Sequence, residues 1–253
     1  MSHDLVLASL NLHAVLQNLE ELCALDPDSA AQCRDWNVSI QFLVQNGPKA
    51  RVAFSGGKCT VTPGYPAKSD LLLYFATAGH LNKMFANAAP PIPLKGFSRL
   101  YFLATKFSKL TKRLEYFLKP TDELLKSPDY LALNTRMTMN TAVFAAAQIA
   151  ALDPVGKKVS LGMGKGTVLM KVLPDGPAAH LVVSESGITA HKGDAEEPMA
   201  RMFMKDLGVA NAFLNQKVDA FSAIASSDVS IKGQIPLLDG LSLILDRVPH
   251  YLA

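Results

Sequence analysis

No stretch of this chain holds the ~18 consecutive apolar residues that a membrane-spanning helix needs. The longest uncharged candidate, Met137–Leu152, carries Thr, Asn and Gln and reads as a buried helix. The first residues, MSHDLVLASLNLH, have no basic cluster and include Asp4, so a secretory leader is not expected. Cysteine is scarce. Cys23, Cys33 and Cys59 make an odd count with no CxxC and no metal-ligand spacing, which argues against a disulfide framework. All three fall in the first half and read as passengers in a reducing cytoplasm. Charge is low as well: Lys, Arg, Asp and Glu make up 19% of 253 residues. Residues 1–120 hold 13 Lys and Arg against 8 Asp and Glu, and residues 121–253 hold 12 against 14. That asymmetry is too mild for a nucleic-acid binder.

What the chain has in surplus is apolar residue, 49%, with a mean hydropathy of +0.17. Without a membrane span, the surplus goes either into large cores or into an apolar interior surface that the chain's own side chains do not fill.

The chain also repeats itself. Asn46–Gly64 reads NGPKARVAFSGGKCTVTPG, and 129 positions later Asp175–Gly193 reads DGPAAHLVVSESGITAHKG. Gly47/Gly176, Pro48/Pro177, Ala50/Ala179, Ser55/Ser184, Thr60/Thr189 and Gly64/Gly193 are identical without a gap. Upstream, Ala24-Leu25-Asp26-Pro27 returns as Ala151-Leu152-Asp153-Pro154, each closing an apolar-periodic segment. Downstream, Leu94-Lys95-Gly96 returns as Ile231-Lys232-Gly233. Three markers in one order indicate a tandem duplication with a unit near half the chain, at 1–120 and 121–253.

Periodicity supplies the elements. Helices are expected over Leu5–Leu25, His80–Ala88 and Ser98–Lys119, the last keeping Leu100, Leu103, Phe107, Leu110, Leu114 and Phe117 at three-four spacing. Asp26-Pro27 reads as a helix stop. Strands are expected at Val38–Val44, Arg51–Phe54, Cys59–Val61 and Asp70–Ala76, and Asn46-Gly47 and Asp175-Gly176 read as tight hairpin turns needing φ > 0. Residues 121–139 read as a helical connection. The second copy then reads as a helix at Thr141–Leu152 and strands at Thr167–Val172, Ala179–Val183, Ile188–Ala190 and Met199–Met204. A helix at Val209–Ala223, a strand at Asp228–Lys232 and a closing helix at Pro236–Leu252 follow. Each copy is an α+β layer, a mainly antiparallel sheet covered by helices.

In this order the motifs resemble the sterol carrier protein 2 family. Asp175-Gly176-Pro177-Ala178-Ala179, Val229-Ser230-Ile231-Lys232-Gly233 and the helix from Leu237 match its pattern of hairpin, Lys-Gly strand end and apolar last helix. Asn46-Gly47-Pro48, Leu94-Lys95-Gly96 and the helix from Leu100 match less closely. The resemblance implies two tandem domains, each a five-stranded sheet whose helices enclose an apolar tunnel for sterols, phospholipids, fatty acids or acyl-CoA. It carries over no catalytic residues and no cofactor. Some family members act instead as dimerisation or accessory domains, some of them in quinone metabolism. The copies differ before the last strand, where the first has Pro90, Pro91 and Pro93 and the second has Ser222–Ser227.

Other motifs have plainer readings. Gly162-Met163-Gly164-Lys165-Gly166-Thr167 meets neither GxxxxGK[ST] nor a GxGxxG that opens a helix, so it reads as a glycine-rich lead-in to the hairpin. His180 and His191 sit on adjacent strands without a carboxylate or cysteine partner, so no metal is expected. Ser184 and Ser186 lack a GxSxG elbow. The basic helix from Ser98 sets Arg99, Lys106, Lys109, Lys112 and Arg113 opposite its apolar seam, as a helix resting on an anionic bilayer would. The apolar residues expected to line a ligand site in the second copy are Val168, Met170, Leu181, Val183, Met202, Met204, Phe213, Leu214, Ile235, Leu238, Leu241 and Leu245, with methionine suited to varied chains. The expected function is non-enzymatic binding or transfer of a fatty acid, acyl-CoA, sterol-like or quinone-like lipid. The alternative is a scaffold or dimerisation module with filled cores; an acyl-CoA enzyme would need a catalytic pair that the residues do not display.

Overall fold

The computed structural model describes residues 2–252. The chain divides into two compact units, Ser2–Lys119 and residues 120–252. In the first, α1 (His3–Leu10) passes through a π-helical turn at Asn11–Val15 into α2 (Asn18–Leu25), and α3 (Pro27–Cys33) follows. Leu12, Leu16, Leu19 and Leu22 are buried on one face, as their spacing requires. The strands are β1 (Val38–Val44), β2 (Lys49–Ser55), β3 (Lys58–Pro63) and β4 (Leu71–Phe75), then α4 (Ala78–Phe85) and β5 (Ile92–Lys95). The unit ends with α5 (Leu100–Phe102), a π-helical turn at Leu103–Phe107 and α6 (Ser108–Leu118). Sheet order is β3-β2-β1-β4-β5, with β1 and β4 parallel and the other pairs antiparallel. β1 lies at the centre, buried on both faces except at Leu43.

The second unit repeats this plan. It holds α7 (Pro128–Leu152), α8 (Pro154–Gly162), β6 (Gly166–Val172), β7 (Ala178–Ser184), β8 (Gly187–Lys192), β9 (Ala200–Met204), α9 (Leu207–Leu214), α10 (Ala220–Ala225), β10 (Val229–Gly233), α11 (Ile235–Leu245) and α12 (Pro249–Leu252). Its order is β8-β7-β6-β9-β10, again with one parallel pair, β6 and β9. Five strands in the same order, twice, make the protein a tandem pair of one α+β domain.

Several boundaries move for physical reasons. The second part of the expected connection and the Ala-rich helix run together from Pro128 to Leu152 as α7, whose buried Asn134 and Thr135 find a partner on α9. Asn211 Nδ2 donates to Asn134 Oδ1 at 2.6 Å and to Thr135 Oγ1 at 3.1 Å. The helix expected over 209–223 is two helices: Gln216 (φ 55) ends the first, and Asp219 caps the second through the Ser222 amide at 2.9 Å. Asp26-Pro27 and Asp153-Pro154 are starts as well as stops. Each Asp caps the next helix, α3 or α8, and each Pro sits at its first turn, where no amide hydrogen is needed.

The repeated glycines have different jobs. Of the two hairpin dipeptides only Asn46 has positive φ (53), so the turns are not the type expected. Gly47 and Gly176 are needed for room instead: a Cβ there would stand 2.8 Å from Val44 Cγ1 and 2.7 Å from Val172 Cβ. Gly96 (φ 85) and Gly233 (φ 99) do need the left-handed region, and a Cβ on either would strike the Asp70 or Met199 carbonyl oxygen.

Both units close on the same clamp. Asp26, capping α3, also takes a bidentate pair from Arg113 on α6, Nε to Oδ2 at 3.0 Å and Nη2 to Oδ1 at 2.7 Å. Asp153, capping α8, accepts from Arg247 Nη2 at 3.1 Å and from the Tyr251 hydroxyl at 2.6 Å. In each case a buried carboxylate ties the last helical segment to the first helical corner.

Candidate functional site

In the second unit, α7 packs on β7 and β8, α11 on β6 and β9, and α9 on β9. The strand register sets which side chains meet these helices. Val168 pairs with Leu181 and Met170 with Met202, while Met204 lies between Val172 and Val229. Alternation places all of them on the helix-facing side of the sheet. Of the twelve residues expected to line a site, Val168, Met170, Leu181, Val183, Met202, Met204, Leu238 and Leu241 are buried in this one layer. Phe213, Leu214 and Leu245 are half-buried at its margin, and Ile235 stands 50% exposed at the start of α11.

The layer reaches solvent at the β9–β10 edge. Met199, 50% exposed, precedes β9, and its thioether lies over Gly166: a Cβ there would be 2.5 Å from Met199 Sδ and 3.2 Å from Leu237 Cδ1. The exposed rim therefore touches the same spot as Leu237, a fully buried residue of α11. Beside this edge, α10 packs on β10. Val218, Phe221 and Ile224, spaced by three, are exposed, Phe221 at 88%, and Ala223 is the one buried residue of this six-residue helix. Sequence reasoning missed this apolar triad because it lay inside a helix expected to be continuous. The three-residue spacing was the available signal.

The opposite face of the sheet is polar. A cavity of about 530 Å³ there is lined by Thr167, His180, Asp194, Ala195, Glu196 and Glu197. His180 stacks on His191 with ring centres 5.1 Å apart, and its Nδ1 lies 3.1 Å from the Gly193 carbonyl oxygen. The hydrogen bond from Lys171 holds the Asp194 carboxyl below its usual pKa. Among the described residues no group of three or more His, Cys, Asp or Glu could hold a metal ion. This cavity suits water and ions, not an acyl chain.

Asp153 is the most perturbed carboxylate of the second unit. Burial pushes its pKa up, but the bonds from Tyr251, the Gly156 amide and Arg247 outweigh that and lower it to about 2. In the first unit the Asp26 carboxyl is likewise lowered, since the bonds from Arg113 and Ser29 outweigh burial. Arg113 thus differs from the other cations of its helix. Arg99, Lys106, Lys109 and Lys112 are exposed, whereas the Arg113 guanidinium sits on Asp26 and over the rings of Tyr116 and Phe117 at 5.1 and 4.9 Å.

The cysteines, scattered in sequence, converge. Cys23 and Cys33 Sγ are 3.4 Å apart and buried. The bond with Cys33 lowers the Cys23 pKa, but its bond with Cys59 and burial push it up to about 12. Cys33 is raised by its bond with Cys23 and by burial. These are protonated, unreactive thiols. No helix among the described residues is long and apolar enough to cross a membrane.

No protein-family model and no curated protein matches the chain. Among solved structures it is similar to one described as a UbiJ-SCP2 ubiquinone synthesis protein, at 14% identity and a TM-score of 0.34 over 43% of this chain and 92% of that one. It is also similar to palmitated SCP2L2 of Aedes aegypti, at 14% identity and a TM-score of 0.33 over 43% and 91%. A third is the sterol carrier protein domain 2 of Helicoverpa armigera, at 16% identity and a TM-score of 0.32 over 42% and 87%.

Proposed function

We propose that the second unit binds a hydrophobic small molecule, a fatty acid, acyl-CoA, sterol-like or quinone-like lipid, between its sheet and α11. The observation that carries this reading is the continuity from the buried layer, through Leu237, to the half-exposed Met199 thioether over Gly166. Apolar side chains left in water beside an apolar interior are what an entering chain would cover.

The means of opening is local. α10 is fastened by its Asp219 cap and one buried alanine, and a single buried methyl contributes only about 0.8 kcal/mol. A segment with so few buried contacts opens well before its unit unfolds. Its displacement uncovers β10 and lets Met202 and Met204 shift their flexible side chains. A ligand that buries ~300 Å² of apolar surface then gains about 7 kcal/mol before the costs of ordering. No side chain is asked to act as acid, base or nucleophile.

The test is binding of a fluorescent fatty acid to the full chain and to two variants. Ile235→Trp narrows the mouth at an exposed position, and Met202→Trp fills the layer. Both are expected to weaken binding at least about tenfold while far-UV circular dichroism stays unchanged. Unaltered binding by both folded variants would refute the site.

A further inference from the structure

The first unit carries a surface of different chemistry. From Leu71 to Leu114 there is no Asp or Glu, and seven Lys or Arg occur. Along the same stretch lie the most exposed large apolar residues of that unit, Phe97 at 65% and Tyr101 at 77%, with Ile92 and Leu94 exposed on β5. Phe97 opens a 3₁₀ turn and Tyr101 lies in α5 just after it, so both stand exposed at the start of the last helical segment. The left-handed turn at Gly96, closed against the Asp70 carbonyl, carries the chain from β5 into that segment.

We propose that this surface docks the protein on an anionic phospholipid bilayer. Phe97 and Tyr101 enter the boundary between headgroups and acyl chains, and Arg99, Lys106, Lys109 and Lys112 lie over the lipid phosphates. Aromatic anchors beside unopposed cations match an interface that is apolar below and negative above. Of the acids near this surface, Asp70 is engaged by Ser39 and held in its charged form by that bond and by nearby Arg99 and Lys95, Glu115 pairs with Lys119, and Asp28 lies against Arg113. Lys95 itself donates to the Ser69 carbonyl and Arg113 is held by Asp26, so neither is counted as a lipid contact. A peptide strand is a poor alternative occupant. β5 is a sheet edge, but it is four residues long, Pro93 inside it has no amide hydrogen, and Pro90 and Pro91 stand just before it. The inference stands apart from the ligand site, because vesicle binding is read without any bound ligand.

The experiment is co-sedimentation of the full chain with vesicles of phosphatidylcholine alone or with about one-third phosphatidylglycerol, at low and high salt. Binding is expected only to the anionic vesicles and to fall with salt. Phe97→Ser with Tyr101→Ser is expected to weaken it about tenfold or more, and each of Lys106→Glu and Lys109→Glu at least about fivefold. All four positions are exposed, so folding is not at stake. A Tyr101→Trp variant should show blue-shifted emission with anionic vesicles and none with heparin. Equal binding to both vesicle types, indifference to these substitutions, or a heparin complex as tight as the vesicle complex with no blue shift would overturn the proposal.

Discussion

Replacing Asp153 by alanine removes three things at once: the cap on α8, the partner of Arg247 and the acceptor of the Tyr251 hydroxyl. The cap is worth about 1 kcal/mol. Breaking a buried charge pair costs about 3–5 kcal/mol when the remaining charge is stranded. The Arg247 side chain is 29% exposed and can turn to water, so the lower end applies. The expected loss is about 3–4 kcal/mol, or roughly 10–15 °C in the melting of a unit this size. Asp153→Asn keeps an oxygen for the Gly156 amide and should lose only about 2 kcal/mol. The chain's one tryptophan makes the assay selective. Trp36 is buried in the first unit between Phe54 and Phe102, so its fluorescence follows that unit, whereas circular dichroism follows both. Asp153→Ala should lower a transition seen by circular dichroism and leave the Trp36 transition in place; Asp26→Ala should lower the Trp36 transition. A loss under about 1 kcal/mol for Asp153→Ala would show that the clamp does not hold the last helical segment.

The units should also part company in acid. Asp153 has its pKa lowered from 3.8 to about 2, so its contribution is complete above pH 4 and is lost as pH falls towards 2, about 2.5 kcal/mol in all. His13 is half-buried, and the desolvation lowers its pKa from 6.5 to about 4; its Nδ1 is out of water and meets no partner. The unfolded chain takes up that proton first, so the first unit loses about 3 kcal/mol between pH 6.5 and 4. Urea unfolding followed by Trp36 should show about 2 kcal/mol of this loss between pH 7 and pH 5, and His13→Leu should abolish it. Gly96→Ala and Gly233→Ala each combine a positive φ with a clash against carbonyl oxygen and should cost at least about 2 kcal/mol. Gly56→Ala has a positive φ in open space and should cost about 1 kcal/mol, read by the same unfolding curves.

Much of the fold was legible because the duplication doubled each weak signal. Gly64 and Gly193, or Lys95-Gly96 and Lys232-Gly233, are ambiguous alone and informative as aligned pairs, and they fall at equivalent positions in two sheets of one order. Local rules failed where one residue serves two elements. Asp26 and Asp153 end one helix and cap the next, and reading Asp-Pro as a stop hid α3 and α8. The clamps were out of reach for a different reason: Arg113 and Arg247 lie 87 and 94 positions from their partners, and nothing in the intervening sequence marks the pair. The candidate site was half legible. Period-two and period-three-four patterns named the buried apolar layer, but only the packing separates Met202, inside, from Ile235 and Phe221, outside.

The central claim is that the second unit holds a hydrophobic ligand, and native mass spectrometry of the purified full chain tests it most directly. The expected result is a mass excess of roughly a few hundred daltons, one ligand per chain, that vanishes on denaturation and is recovered as lipid in the organic extract. A mass equal to the bare chain, with no change in melting temperature on adding fatty acids, acyl-CoA or quinones, would contradict it.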